Sequence, residues 1–177
     1  MKRNTLVSLC LITSICLIGL FTGCGNQSKQ KAIITTVVNE LYTCPNKIFS
    51  DAYANESAVA PNKDTGEVIA LTEENSTTIK YISDTYRQYF SDSAYASFLS
   101  KSYVYKYQEP SIEEKWSSKV TKTSVQFEGI DRYSFMCDIN VTENSGNITK
   151  KQVTGSIEFD ESGKICWFNE YKTFLAE

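Results

Sequence analysis

One absence restricts the side chains that could perform chemistry in this chain, since its 177 residues include no histidine. An Asp/His catalytic pair is therefore excluded, and metal ions lose their commonest nitrogen ligand. Cys44, Cys137 and Cys166 lie far apart in sequence, whereas zinc sites usually draw on closely spaced ligands. The sequence predicts no metal site and no cofactor. We interpret the three thiols as small buried groups, and one disulfide between two of them remains the alternative.

The remaining route to acid–base catalysis is a carboxylate beside a phenol, because a buried carboxyl group next to a tyrosine can enolise a carbonyl compound. Asp138 is the only acid at the centre of its predicted strand. Alternation places it opposite Cys137 and Ile139, so it faces away from the more apolar side. We interpret Asp138 as a solvated or ion-paired strand residue and assign no catalytic residue.

Aromatic side chains with polar tips offer a different kind of site, since they suit both ligand pockets and partner surfaces. Many of the 11 tyrosines are concentrated between residues 81 and 107. The alternative is an ordinary core, because tyrosine is also a common half-buried residue. The candidate pocket or interface residues are Tyr86, Tyr89, Tyr103, Tyr105, Trp167 and Phe168.

The last predicted strand, residues 164–171, appears in this set because it has apolar groups on both faces. Strict alternation places Ile165 and Trp167 on one face and Cys166 and Phe168 on the other. A sheet with one solvated face needs apolar residues only at alternate positions. We therefore expect the second face to be covered, either by another chain or by the polar loop at residues 55–71.

The N-terminus carries chemistry of another kind. Lys2 and Arg3 precede an uncharged, mostly apolar run at residues 6–21. This run is shorter than the about 20 apolar residues that a membrane-spanning helix needs, and it fits a signal peptide better. The segment Phe21-Thr22-Gly23-Cys24 resembles the lipobox of bacterial lipoprotein signal peptides.

That resemblance implies cleavage before Cys24, which would be thioether-linked to a diacylglyceryl group. Residues 1–23 would form the signal peptide, residues 24–31 the lipidated cysteine and a polar tether, and residues 32–177 a single domain. Two acyl chains would hold the protein firmly, because one chain alone binds a membrane only marginally. The implied location is the cell membrane, facing outside the cytoplasm.

Charge excludes two classes of partner. Without Lys2 and Arg3 the chain keeps 16 basic and 21 acidic residues, a net charge of −5. The basic residues are scattered, and short clusters such as residues 119–122 are typical of a solvated face. Nucleic acid needs clustered lysine and arginine, so it is excluded as a partner. The same scatter argues against direct electrostatic binding to an anionic leaflet.

Hydrophobic periodicity predicts helices first and strands last. Cys44-Pro45 should end the first helix, and Asn46 should cap the second. Tyr103, Tyr105 and Tyr107 alternate with other residues, which predicts a strand that Pro110 closes. The predicted helices cover residues 32–42, 46–53, 72–90 and 91–99, and the predicted strands cover residues 103–107, 120–127, 133–141, 153–159 and 164–171. Glycine-containing links at residues 144–147 and 160–163 predict hairpins.

Helices followed by an antiparallel meander predict an α+β fold in which helices cover one face of a curved sheet. Gly155 falls inside a strand pattern, where a bulge is a common cause. The order of elements over residues 31–171, and the closing hairpin at residues 156–168, resemble the nuclear transport factor 2-like superfamily, a cone-shaped α+β fold. Cystatin-like and other helix-plus-meander folds have a similar pattern. Catalytic members of the superfamily place Asp/His or Asp/Tyr sets inside the cone.

Two functions follow as hypotheses. The first is a non-catalytic, membrane-anchored binding or assembly module whose partner is a protein, a cell-wall component, a small molecule or a second copy of the chain. The second is a small-molecule isomerase or lyase with an Asp/Tyr pocket in the cone. The missing histidine and the lack of a convergent acid cluster favour the first.

Overall fold

A computed structural model describes residues 25–57 and 76–175 of the chain. Cys24, the predicted signal peptide and most of the predicted loop at residues 55–71 lie outside these ranges. The described helices are α1 (residues 25–42), α2 (Lys47–Ser57), α3 (Thr77–Tyr86), α4 (Asp92–Ser100) and α5 (Tyr103–Glu113), with a short 3-10 turn at Arg87–Tyr89. The strands are β1 (Ser117–Gly129), β2 (Arg132–Thr142), β3 (Ile148–Phe159) and β4 (Ile165–Lys172).

Helix α1 includes residues that were predicted to be a polar tether. Residues 25–31 are helical and continuous with the predicted helix, so the tether prediction fails over this segment. Gln30 is buried against the sheet, where its amide accepts a hydrogen bond from the Tyr133 hydroxyl at 2.7 Å and donates one to Asp131 at 3.3 Å. The polar composition of residues 25–31 predicted a tether, but the hydrogen bonds of the buried Gln30 hold this segment against the sheet.

Side-chain caps begin three of the helices. The Asn46 side chain accepts hydrogen bonds from the backbone N–H groups of Ile48 and Phe49 at the start of α2, as predicted. Ser91 caps α4 in the same way, and Ser76 caps α3. These caps satisfy backbone donors that have no partner inside a helix.

Helix α5 replaces a predicted strand. Its buried residues follow helical spacing, because Tyr103, Val104, Tyr107, Gln108 and Ser111 share one face. The alternating tyrosines therefore misled the prediction, and Pro110 lies within the helix instead of ending the element. Tertiary contacts override the weak local preference, since the buried Gln108 side chain accepts a hydrogen bond from the Asn46 backbone N–H at 2.7 Å.

The four strands form one antiparallel sheet in the order β1-β2-β3-β4. The predicted hairpins are present, and Gly146 and Gly163 adopt the positive φ angles of 87° and 78° that these turns need. The core lies between the helices and one face of the sheet, called here the inner face. This α+β arrangement confirms the predicted fold class and is consistent with a nuclear transport factor 2-like cone.

Gly155 marks the predicted irregularity in β3. The pairing with β4 shifts between Thr154 and Gly155, which indicates a β-bulge. A Cβ atom at Gly155 would lie 2.3 Å from the Asn169 carbonyl oxygen and 2.5 Å from the Phe135 ring. Only glycine fits between these two groups.

A second bulge changes the faces of β4. Phe159 pairs with Ile165 and Glu158 pairs with Trp167, so the bulge at Cys166 interrupts the alternation. The predicted faces are therefore wrong. Ile165 and Phe168 share the inner face and are 0% and 6% exposed, whereas Trp167 lies on the outer face with 39% exposed.

Candidate functional site

The most unusual polar group of the described structure is the carboxylate of Glu170. It lies on the inner face of β4 and pairs across the sheet with Gly155. The Glu170 side chain is only 5% exposed. A buried carboxylate needs partners, because losing water without replacement is costly.

Three donors from two helices surround this carboxylate. The hydroxyl of Tyr42, at the end of α1, donates to Oε1 at 3.1 Å. On α5, the Lys106 ammonium donates to Oε2 at 2.6 Å, and the Tyr107 hydroxyl donates to Oε1. The Tyr107 hydroxyl also lies 2.8 Å from Thr173 Oγ1. We call Glu170, Tyr42, Tyr107 and Lys106 the Glu170 cluster.

The electrostatics of the Glu170 cluster keep both phenols protonated. Burial raises the pKa of Tyr42 well above its usual range, and the negative charge of Glu170 raises it further. The pKa of Tyr107 is raised by the same two causes in the same order. Both tyrosines therefore act as hydrogen-bond donors at neutral pH.

Aromatic rings fill the space around the Glu170 cluster. The rings of Tyr42 and Tyr107 pack edge to face with centroids 5.1 Å apart, and Phe174 stacks on Tyr107 at 4.9 Å. The ring of Phe135, on β2, lies near Tyr42 with ring centroids 6.4 Å apart. The ring of Trp116 packs against Phe174 with centroids 5.8 Å apart. The carboxylate and its phenols are a combination suited to proton transfer, but their neighbours are side chains of the protein itself.

The predicted tyrosine pocket is part of the core instead. Tyr86, Tyr103 and Phe168 surround Phe98, with ring centroids 5.3, 5.4 and 5.6 Å from it. Tyr103 and Tyr105 line a cavity of about 10 Å³, which is at the lower limit for a single water molecule.

The other predicted site residues are dispersed. Tyr105 packs edge to face on Phe49 at 5.5 Å, and Tyr89 is half-buried in the 3-10 turn. Trp167 lies on the outer face of the sheet, where its cross-strand neighbour is Glu158. The structure therefore does not bring the six candidates together into one site.

Asp138 lies on the outer face, as predicted. It is half-buried and accepts a hydrogen bond from the Gln152 side-chain amide at 3.0 Å. Its neighbours across the two adjacent strands are Lys122 and Gln152. It has no tyrosine partner among the described residues.

Strand pairing around Asp138 assembles a second candidate site that the sequence did not predict. Lys119 and Lys150 flank Asn140 in the next row of the sheet, and Lys172 lies opposite Thr154. A groove of about 540 Å³ opens here, with Thr121, Asp138, Asn140, Lys150, Gln152 and Lys172 in its lining. We call Lys119, Lys122, Lys150 and Lys172 the lysine patch. Only the strand register brings them together, and that register was not read from the sequence.

The cysteines of the described region are unpaired. Cys44 and Cys137 are buried, and Cys166 is exposed at its bulge. Burial raises the pKa of Cys44 to about 12 and that of Cys137 to about 11, so both remain thiols at neutral pH. Residues 25–57 and 76–175 contain no group of three His, Cys, Asp or Glu side chains that could hold a metal ion.

Comparison with protein-family models gives no match, and no curated protein is significantly similar to the chain. None of the described helices has the length and apolar character needed to cross a bilayer. Functional arguments therefore depend on the geometry of the two candidate sites.

Proposed function

We propose that this protein is a lipid-anchored, extracytoplasmic lipoprotein whose domain acts as a non-catalytic binding module. The lipobox-like segment ending at Cys24 supports the anchor. The observation that carries the non-catalytic role is the occupied state of Glu170, which is 5% exposed and already bound by two phenols and an ammonium group.

A catalytic carboxylate has to approach the proton that it transfers to within about 2.6–3.2 Å. The partners of Glu170 occupy both carboxylate oxygens, and aromatic rings fill the adjacent space. A substrate would have to displace this packing before it reached the acid. The Glu170 cluster is therefore better explained as the polar element that joins α1, α5 and β4.

The position of α1 supports a defined orientation on the membrane. Its first described residue follows Cys24 directly, and Gln30 binds Asp131 in the turn between β1 and β2. A lipid on Cys24 would therefore hold this end of the sheet near the bilayer. Ile130 projects from the same turn with 97% of its surface exposed, which suits contact with a lipid interface.

The anchor is tested by mass spectrometry of the protein isolated from its native membrane. We expect a chain that begins at Cys24 and carries the mass of a diacylglyceryl group. Cys24→Ser should abolish both processing and lipid addition, whereas Cys166→Ser, a change at an exposed cysteine, should leave both intact. An unmodified Cys24 on a chain that still begins at Met1 would refute the proposal.

One observation favours the alternative function, a small-molecule isomerase or lyase. The contact between Tyr107 and Glu170 provides a carboxylate–phenol pair on the inner face of the sheet. The acid of this pair is Glu170, whereas the sequence offered Asp138. This function requires Glu170→Gln to abolish turnover in a folded protein. The binding-module proposal instead predicts that this substitution lowers stability and leaves ligand affinity unchanged.

A further inference from the structure

We infer that the lysine patch binds a flexible phosphodiester polyanion built on a polyol, without nucleobases. The inference rests on the proposed function, because it names the ligand class of the binding module. It also names the binding surface, which is the end of the outer sheet face that lies far from the β1–β2 turn.

The first support is a local excess of positive charge. Lys119, Lys122, Lys150 and Lys172 are all exposed, and none has an ion-pair partner within the described parts of the chain. Among the described residues, Asp138 is the one acid in the groove lining; it lies opposite Lys122 on β1, and its carboxylate accepts a hydrogen bond from the Gln152 amide. The whole chain has a net charge of −3, so such a concentration of positive charge is a local feature. It would attract anions by increasing their local concentration.

The second support is the groove, which Lys150 and Lys172 line. Lys119 and Lys122 do not line it, but they pair across the sheet with Asn140 and Asp138, which do. The groove volume of about 540 Å³ lies within the usual range for ligand sites. Besides ammonium groups it offers the Asn140 amide, which can donate to and accept from polyol hydroxyls. The Thr121 hydroxyl already donates to the Asp138 carbonyl oxygen at 3.0 Å, so it can accept a hydrogen bond from a polyol. A polymer of alternating charged and hydroxylated units matches this combination.

The composition of the lining disfavours other polyanions. The lining residues that the structure describes include no arginine, the residue that binds carboxylates through two parallel hydrogen bonds, whereas lysine binds phosphate as a point charge. Protein interfaces are enriched in aromatic residues and arginine and depleted in lysine. Single-stranded nucleic acid needs exposed rings for base stacking, but among the described lining residues the only ring belongs to the buried Phe174.

The position of the patch separates it from lipid headgroups. Asn140, in the centre of the patch, is eight residues along β2 from Arg132 beside the anchored turn. At about 3.4 Å per residue this places the patch roughly 27 Å away along the strand. Electrostatic attraction is screened over about 8 Å at physiological ionic strength, so the patch would act on polymer chains beyond the membrane surface.

The test is titration of the purified full chain with poly(glycerol phosphate), measured by calorimetry at several salt concentrations. We expect the logarithm of the association constant to fall with the logarithm of salt concentration with a slope of about −3, as for four contacts on a single-stranded polyanion. Lys122→Glu and Lys150→Glu should each lower affinity about tenfold and make the slope shallower. Lys29→Glu makes the same charge change on α1 and should have no effect.

The controls decide the ligand class. Polyglutamate and single-stranded DNA of matched charge should bind at least tenfold more weakly than poly(glycerol phosphate). Equal binding of either polymer, an equal loss from Lys29→Glu, or no binding at low salt would overturn the inference. These outcomes are independent of the lipid on Cys24, so they are distinguishable from failure of the anchor.

Discussion

Replacement of Glu170 by glutamine tests whether the Glu170 cluster is structural. The substitution keeps the shape but removes the charge that binds Lys106 and the two phenols. Breaking a buried ion pair from one side costs about 3–5 kcal/mol. The Lys106 side chain is 36% exposed and can regain water, which reduces this cost. We therefore expect the free energy of unfolding to fall by about 2–3 kcal/mol, a magnitude between those of a fully buried pair and a surface pair.

The assay is urea unfolding at neutral pH followed by tryptophan fluorescence. Lys106→Met combined with Glu170→Gln should cost less than the sum of the two single substitutions, because the pair is then removed from both sides. Glu158→Gln is the matched control, since its partner Arg132 is 60% exposed and a surface pair contributes at most about 1 kcal/mol. If Glu170→Gln were as stable as the unsubstituted protein, the structural account of the cluster would be wrong.

Four further substitutions test the packing and the electrostatics. Gly155→Ala should destabilise the domain by about 1–3 kcal/mol in urea unfolding, because its Cβ would meet Asn169 at 2.3 Å; an unchanged midpoint would contradict the bulge geometry. Phe168→Ala should cost about 3–5 kcal/mol and Trp167→Ala less than about 1 kcal/mol, and a reversed order would contradict the assigned faces. Burial alone would raise the pKa of Glu56, but hydrogen bonds from Ser76, Thr77 and Thr78 outweigh it and lower this pKa. The resulting stabilisation is present above the unfolded pKa and is lost as the pH falls through the folded pKa, so Glu56→Gln should reduce acid sensitivity in pH-dependent melting; an unchanged profile would argue against it.

Much of the fold could be predicted because periodicity reports which face of an element is buried. The strands from β1 to β4 and the cap at Asn46 follow directly from local residue patterns. Helix α5 could not be predicted in this way, because its tyrosines satisfy a two-residue repeat as well as a helical face. The prediction grouped Ile165 with Trp167, but the bulge at Cys166 adds one residue and so places Ile165 on the same face as Phe168.

The candidate sites were harder to predict, because each depends on register. Glu170 follows the buried Phe168 and the half-buried Asn169 in a strand of mixed polarity, and its pairing with Gly155 places it on the inner face. The lysines of the patch are distributed over three strands, so the sequence shows no basic stripe. Which strands are neighbours could be inferred, but their exact pairing could not.

The central claim is that this protein binds its partner at the lysine patch, on the outer face of the sheet, and not at the Glu170 cluster on the inner face. Amide NMR spectra of the isotope-labelled protein, titrated with poly(glycerol phosphate), locate the contact directly. The account predicts shifts at residues 119–122, 138–140, 150–152 and 172, while the amides of Tyr42 and Tyr107, which belong to the helices, remain unchanged. Shifts concentrated at Tyr42 and Tyr107, with the lysine patch unaffected, would contradict it.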